Sequence, residues 1–176
     1  MVVITYQMLL GTLQTVGILV GIFYYIMALR NQEKTRHASL FMSVYQTINT
    51  DRGIDSDFKS SKIEYKNHED WEKIASDPEL FKAWAYQSNF LESLGVLVRN
   101  GLIDLEMLTR LHSGSILYYW EKYKDGIMAS REAMSWPRWM IETEYLFDRT
   151  VEFSRSHPEL RIKLPEQYVT DKRKPD

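Results

Sequence analysis

Four side chains within five residues supply the densest set of groups that could hold a metal or move a proton. They are His68, Glu69, Asp70 and Glu72. A helix would bring His68 and Glu72, four residues apart, to one face. A metal needs three or four converging ligands, and nothing else in the sequence completes this set. Acids at a helix start, favoured there by the dipole, explain the cluster without a metal. His112 with Ser113 and Ser115 offers the residue types of a base and a nucleophile. No glycine-rich nucleophile elbow surrounds them, so His112 is expected to be a partly buried or surface histidine on a helix. Glu92 interrupts the apolar run NFLESLG. It is expected to pair with Arg99, with Arg110 or with a basic residue of a partner. General acid catalysis would need a second carboxylate or base, for which Glu106 and Asp104 are the candidates.

Aromatic surface is concentrated in Tyr118, Tyr119, Trp120, Tyr123, Trp136 and Trp139. Such residues can line a pocket or a docking face, but at helical spacing they more often form core. The candidate docking or pocket residues are therefore Glu92, His112, Tyr119, Trp120 and Trp139. The sequence holds no P-loop, no dinucleotide fingerprint and no H-E-x-x-H motif. No catalytic, cofactor-binding or metal-ligating residue is assigned, and no cofactor is expected. The absence of cysteine excludes disulfides and Cys-based zinc sites. A net charge of −2 argues against a nucleic-acid binder, which needs a basic face.

The elements that must carry these residues divide unequally. All 22 basic and 24 acidic residues lie from Arg30 onward, and Met1 to Leu29 carry no charge. A bilayer core needs about 20 mostly apolar helical residues, and this run exceeds that. Tyr6 and Tyr25 are spaced to reach both interfaces as an aromatic belt. A secretion signal would need a basic start and a small-residue cleavage site, and neither is present. A buried helix of a soluble protein is the competing expectation, weakened by the length of the uncharged run. Arg30, Lys34 and Arg36 follow the run, so the positive-inside rule places the C-terminal side in the cytoplasm, where these residues would meet anionic headgroups. The expected molecule sits in the cell membrane with a short external N-terminus, a single span at 1–29 and a helical extension at 30–50. A cytoplasmic helical domain at 51–162 and a polar tail at 163–176 complete it.

Gly17 and Gly21 form a G-x-x-x-G pair in the expected span. Small residues let helix backbones approach closely, and packing then drives association. Gln14 lies on the same stripe near mid-bilayer, where an amide does best bonded to another helix. Gln14, Gly17 and Gly21 are thus expected to mediate self-association or pairing with another membrane protein.

Beyond the extension, NTDRGIDSD has the composition of a turn, and the segment to about Asn67 has room for one short helix. SDPELF predicts a helix start, with Ser76 and Glu79 as a capping box and Pro78 in the first turn. Phe81, Trp84, Leu91, Leu94 and Val98 would share one face of that helix. Gly101 suits its left-handed end, and Asp104 suits the cap of the next helix. SWPRW predicts a further helix, with Ser135 as its cap, running to Ser156. From Lys163 the chain is polar and expected to fray, ending in the basic cluster Lys172, Arg173 and Lys174. No alternating strand pattern occurs. The fold is expected to be all-α: one N-terminal transmembrane helix continuing into a small cytoplasmic helical bundle.

The stretch WEKIASDPELFKAWAYQSNFLESLGVLVRNGLID, followed by SILYYWEKY, resembles a family of uncharacterised prokaryotic proteins. These are single-span membrane proteins with a helical cytoplasmic domain of unknown function. The shared pattern rests on Phe90, Leu91, Glu92, Leu94, Gly95, Leu97, Val98, Gly101 to Asp104, and Tyr119 with Trp120. It extends over about residues 1 to 155. The resemblance implies a fold and brings no activity. Two functions remain open at this level. One is a membrane-anchored interaction or scaffold protein, with the bilayer and a homo-oligomer or membrane-protein partner as its contacts. The other is a membrane-tethered small-molecule sensor or enzyme with a pocket between the aromatic-rich helices.

Overall fold

A computed structural model describes residues 6–48 and 50–169. The cluster Lys172, Arg173 and Lys174 and the side chain of Lys34 lie outside the described residues. The described chain is all-α, with seven α-helices, one 3-10 turn and no strand among the described residues. It forms two compact units, Met1–Leu40 and Phe41–Asp176.

Helix α1 (Tyr6–Ile48) runs unbroken through the apolar segment and its charged continuation. It is the one described helix long and apolar enough to cross a membrane. The side chains of its apolar half are exposed among the described residues. Thr12 and Thr15 donate their hydroxyls to the carbonyls of Met8 and Gly11 at 2.8 and 2.9 Å. Both side chains are thereby satisfied within the helix, as an apolar surrounding requires.

In the second unit, α2 (Asp51–Ser60) occupies the segment expected to be a turn. Thr50 caps it, its hydroxyl accepting from the Gly53 amide at 3.1 Å. The cap and the buried faces of Gly53, Ser56 and Ser60 outweigh the turn-like composition. Next comes α3 (His68–Ser76), with Asn67 accepting from the Asp70 amide at 2.9 Å. Helix α4 (Pro78–Arg99) starts as expected at Pro78, but Asp77 is its cap. The Asp77 carboxylate accepts from the amides of Glu79 and Leu80, while Ser76 ends α3 and bonds back to the Glu72 carbonyl at 2.6 Å. An ionised acceptor directly before proline outcompetes the hydroxyl one residue earlier.

Gly101, at φ 65°, closes α4. The amides of Leu102 and Gly101 return to the carbonyls of Leu97 and Val98, completing a Schellman motif. Asp104 then caps α5 (Leu105–Ala133), accepting from the Met107 amide at 2.9 Å. At the far end of α5 the expected start of the next helix fails. Ser135, at φ 51°, is the left-handed residue of a second Schellman motif, with the Trp136 amide on the Arg131 carbonyl at 2.9 Å. Helix α6 begins only at Ile141 and runs to Ser156. A 3-10 turn at Pro158–Leu160 and a short α7 (Glu166–Val169) follow.

The long helices α4, α5 and α6 form the body of the unit, with α2 packed on α4 and α3 between α4 and α5. Leu108, Ile116, Ile127 and Leu146 are wholly buried at its centre. Burying each such side chain contributes about 1.5–3 kcal/mol relative to exposure. The start of the expected polar tail is held to the domain as far as Val169. Tyr168 is buried against Phe147, and Arg155 donates two hydrogen bonds to its carbonyl.

Candidate functional site

Glu92 does not meet Arg99 or Arg110. Its carboxylate accepts from the amides of Glu142 and Thr143 at 3.3 and 2.8 Å, and from the Thr143 hydroxyl at 2.9 Å. Those amides are the orphan donors at the start of α6, whose own cap residue, Met140, is left-handed and makes no side-chain bond. Glu92 is therefore a cap supplied from another helix. Arg99 pairs instead with Glu142 at 2.6 Å, and Arg110 pairs with Glu106 at 2.7 Å. With its carboxylate engaged in this way, Glu92 holds the start of α6.

Tyr119 and Trp120 are core residues, each no more than 5% exposed. The Tyr119 hydroxyl shares a hydrogen bond of 2.6 Å with Ser88, and burial pushes its phenol well above the ordinary range. Trp139 stacks on Trp84, with ring centroids 5.6 Å apart, and meets Trp71 edge-on at 5.1 Å. Tyr119, Trp120 and Trp139 thus pack in or against the core, the commoner place for aromatic residues at helical spacing. His68 makes a contact of 3.3 Å with the Ser130 hydroxyl and stands 3.9 Å from Glu72. No group of three potential metal ligands converges among the described residues.

Of the five expected residues, His112 lines a cavity. That cleft, of about 190 Å³, lies between α2, α4 and α5. Helix α2 contributes Gly53, Ile54 and Asp57, α4 contributes Tyr86, Gln87, Phe90 and Leu91, and α5 contributes His112 and Ser115. Each set recurs at helical steps of three or four, which puts it on one face of its helix. Gln87 donates to Asp57 at 2.6 Å and accepts from the Ser60 hydroxyl at 2.5 Å, tying α2 to α4 at the rim. The Tyr45 ring, from the last turns of α1, lies 6.0 Å from the His112 ring. Ser113 does not line the cleft, and no hydrogen bond joins His112 to either serine among the described residues. The base and nucleophile that these residue types offered are not assembled, and His112 is half-buried on α5. Gly53 and Asp57 are hidden in the sequence by the turn-like composition of NTDRGIDSD, and Gln87 joins them only because α2 packs on α4. The Thr50–Gly53 cap and the four-residue step from Ile54 to Phe58 were the signals for α2.

The Nε2 atom of His112 is buried without a hydrogen-bond partner, and burial lowers the imidazole pKa below its ordinary 6.5. As pH falls below about 6.5, the unfolded chain takes up this proton before the folded one does. Stability is therefore complete above about pH 6.5 and declines as pH falls through the lowered value. Urea midpoints between pH 7 and pH 5 should fall less in a His112→Gln variant than in the native chain. Parallel curves would show that His112 carries no such linkage.

On α1, Gln14, Gly17 and Gly21 face open space. A Cβ added at Gly17 or Gly21 would meet nothing within 4 Å, and no hydrogen bond engages the Gln14 amide among the described residues.

A family model described as a domain of unknown function, DUF4760, matches residues 11–150. The chain belongs to this family. The DUF4760 match begins inside the apolar part of α1 and ends in α6, so it takes in the long helix, the cleft and the Glu92 cap together. No curated protein and no solved structure matches the chain.

Proposed function

We propose that this DUF4760 protein is a single-span, membrane-tethered interaction module whose helical domain lies in the cytoplasm. The observation that carries this reading is the exposed apolar half of α1 with its stripe of small and polar residues. An exposed apolar surface of that length is stable in lipid and unstable in water. Within lipid, the Gln14 amide gains a partner only from another helix, and the bare backbone at Gly17 and Gly21 lets that helix approach. Arg30 and Arg36, both exposed on the continuation of α1, support the cytoplasmic orientation. The prokaryotic setting implied by the resemblance belongs to this same proposal. A second copy of the chain is the simplest occupant of the stripe, and another membrane protein is the alternative.

Purified from membranes in mild detergent, the full-length protein should migrate as an oligomer or with a companion. Gly17→Leu combined with Gly21→Leu should dissociate it, since bulky side chains at both positions hold the helix backbones apart. An unchanged oligomeric mass in the double variant would remove the contact from the proposal. Recovery of the native chain in the soluble fraction would remove the membrane.

A further inference from the structure

We propose that the cleft between α2, α4 and α5 binds a small organic cation, an ammonium group carried on an apolar body about the size of one ring. The walls come from Ile54, Phe90, Leu91 and the Tyr86 ring. A dry apolar cavity of about 150 Å³ accepts benzene, so a cleft of about 190 Å³ suits a one-ring body.

The charge of the ligand follows from what the walls hold. Among the described lining residues Asp57 is the one formal charge, and none is a lysine or arginine. Only one of its carboxylate oxygens is bonded among the described residues, to Gln87. The neighbouring Lys59 is engaged by Asp55 at 2.7 Å and Lys62 stands over the Phe58 ring, so neither neutralises Asp57. Burial disfavours a positive charge on His112, which therefore adds none to the wall. The α2 amides nearest the cleft are not available to an anion. The Gly53 amide is bonded to the Thr50 hydroxyl and the Ile54 amide to the Thr50 carbonyl. Two aromatic side chains and a carboxylate in one lining favour a cation over an anion.

This site does not rest on the membrane reading, and it can be tested in the same detergent-solubilised full-length protein. Titration calorimetry with 2-phenylethylammonium, and separately with the neutral 2-phenylethanol, separates the contribution of charge from that of shape. The ammonium should bind saturably and more tightly than the alcohol. Asp57→Asn keeps an acceptor for Gln87 and should weaken the ammonium about fivefold, the upper range for a partly exposed ion pair, while leaving the alcohol unchanged. Ser115→Trp, which fills the cleft from an exposed position on α5, should abolish binding of both. The site is overturned by absence of saturable ammonium binding, by equal affinity for the alcohol, or by indifference to both variants.

Discussion

Gly95→Val is expected to prevent the helical domain from reaching its native packing. Gly95 lies where α4 crosses α6, the most extensive helix contact in the domain. A Cβ at this position would overlap the carbonyl oxygen, carbonyl carbon and Cβ of Glu142. The obstacle is backbone, so no rotamer change relieves it, and the two helices must separate. Alanine gains about 1 kcal/mol of helix propensity over glycine. Overpacking costs about 1–3 kcal/mol where side chains can yield, and more against backbone. Gly95→Ala should therefore lose about 2 kcal/mol net, and valine should remove most of a domain stability that is typically about 5–15 kcal/mol. Gly114 on α5 is the control, because a Cβ there meets nothing within 4 Å. Gly114→Ala should be neutral or gain up to about 1 kcal/mol. Urea unfolding followed by tryptophan fluorescence reads all three, since Trp71, Trp84 and Trp139 are in ring contact inside the domain. A Gly95→Ala midpoint equal to that of Gly114→Ala would refute the close approach.

Removing the Glu92 carboxylate is the second large effect. Glu92→Ala leaves two amides at the start of α6 and the buried Thr143 hydroxyl without their acceptor. Helix caps contribute about 0.5–2 kcal/mol, and hydrogen bonds to charged groups about 1.5–3 kcal/mol. A loss of about 3 kcal/mol is expected for alanine, and about 1 kcal/mol for Glu92→Gln, which keeps an oxygen in place. Asp77→Ala, at the exposed and locally capped start of α4, should cost about 1 kcal/mol. Amide hydrogen exchange should localise the Glu92 effect to the first turn of α6 and that of Asp77 to α4. If Glu92→Ala costs no more than Asp77→Ala, the carboxylate is not what holds α6.

Gly95 and Glu92 explain each other. The missing side chain lets α6 come close enough for its first amides to reach a carboxylate one turn earlier on α4. The Arg99–Glu142 pair closes the same junction from the next turn. A glutamate within an apolar helix thus has a structural partner, which accounts for its place in NFLESLG without a catalytic task.

The sequence by itself determined what depends on neighbours along the chain. The uncharged run specified a helix of membrane-spanning length. Gly101 and Asp104 specified where α4 ends and α5 begins, because a left-handed turn and a side-chain cap act over three or four residues. The helical spacing of Trp84, Leu91, Leu94 and Val98 specified a buried face, although Phe81, at the edge of that face, is exposed. Tertiary structure alone decided the rest, because it set groups distant in sequence against one another. Ser135 has the residue type of an N-cap, yet the α5 terminus claimed it as a left-handed residue, and packing of Trp139 on Trp84 carries the following loop past it. Tyr119 and Trp120 could have faced a pocket or a core, and the choice lay with the helices that cover them. Asp57, Gln87 and His112 are separated by 30 and 25 residues along the chain and border one cleft only because α2 lies on α4 beside α5. Local periodicity reports which face of a helix is apolar; the neighbour that covers that face, and the gap left between them, are properties of the packed domain.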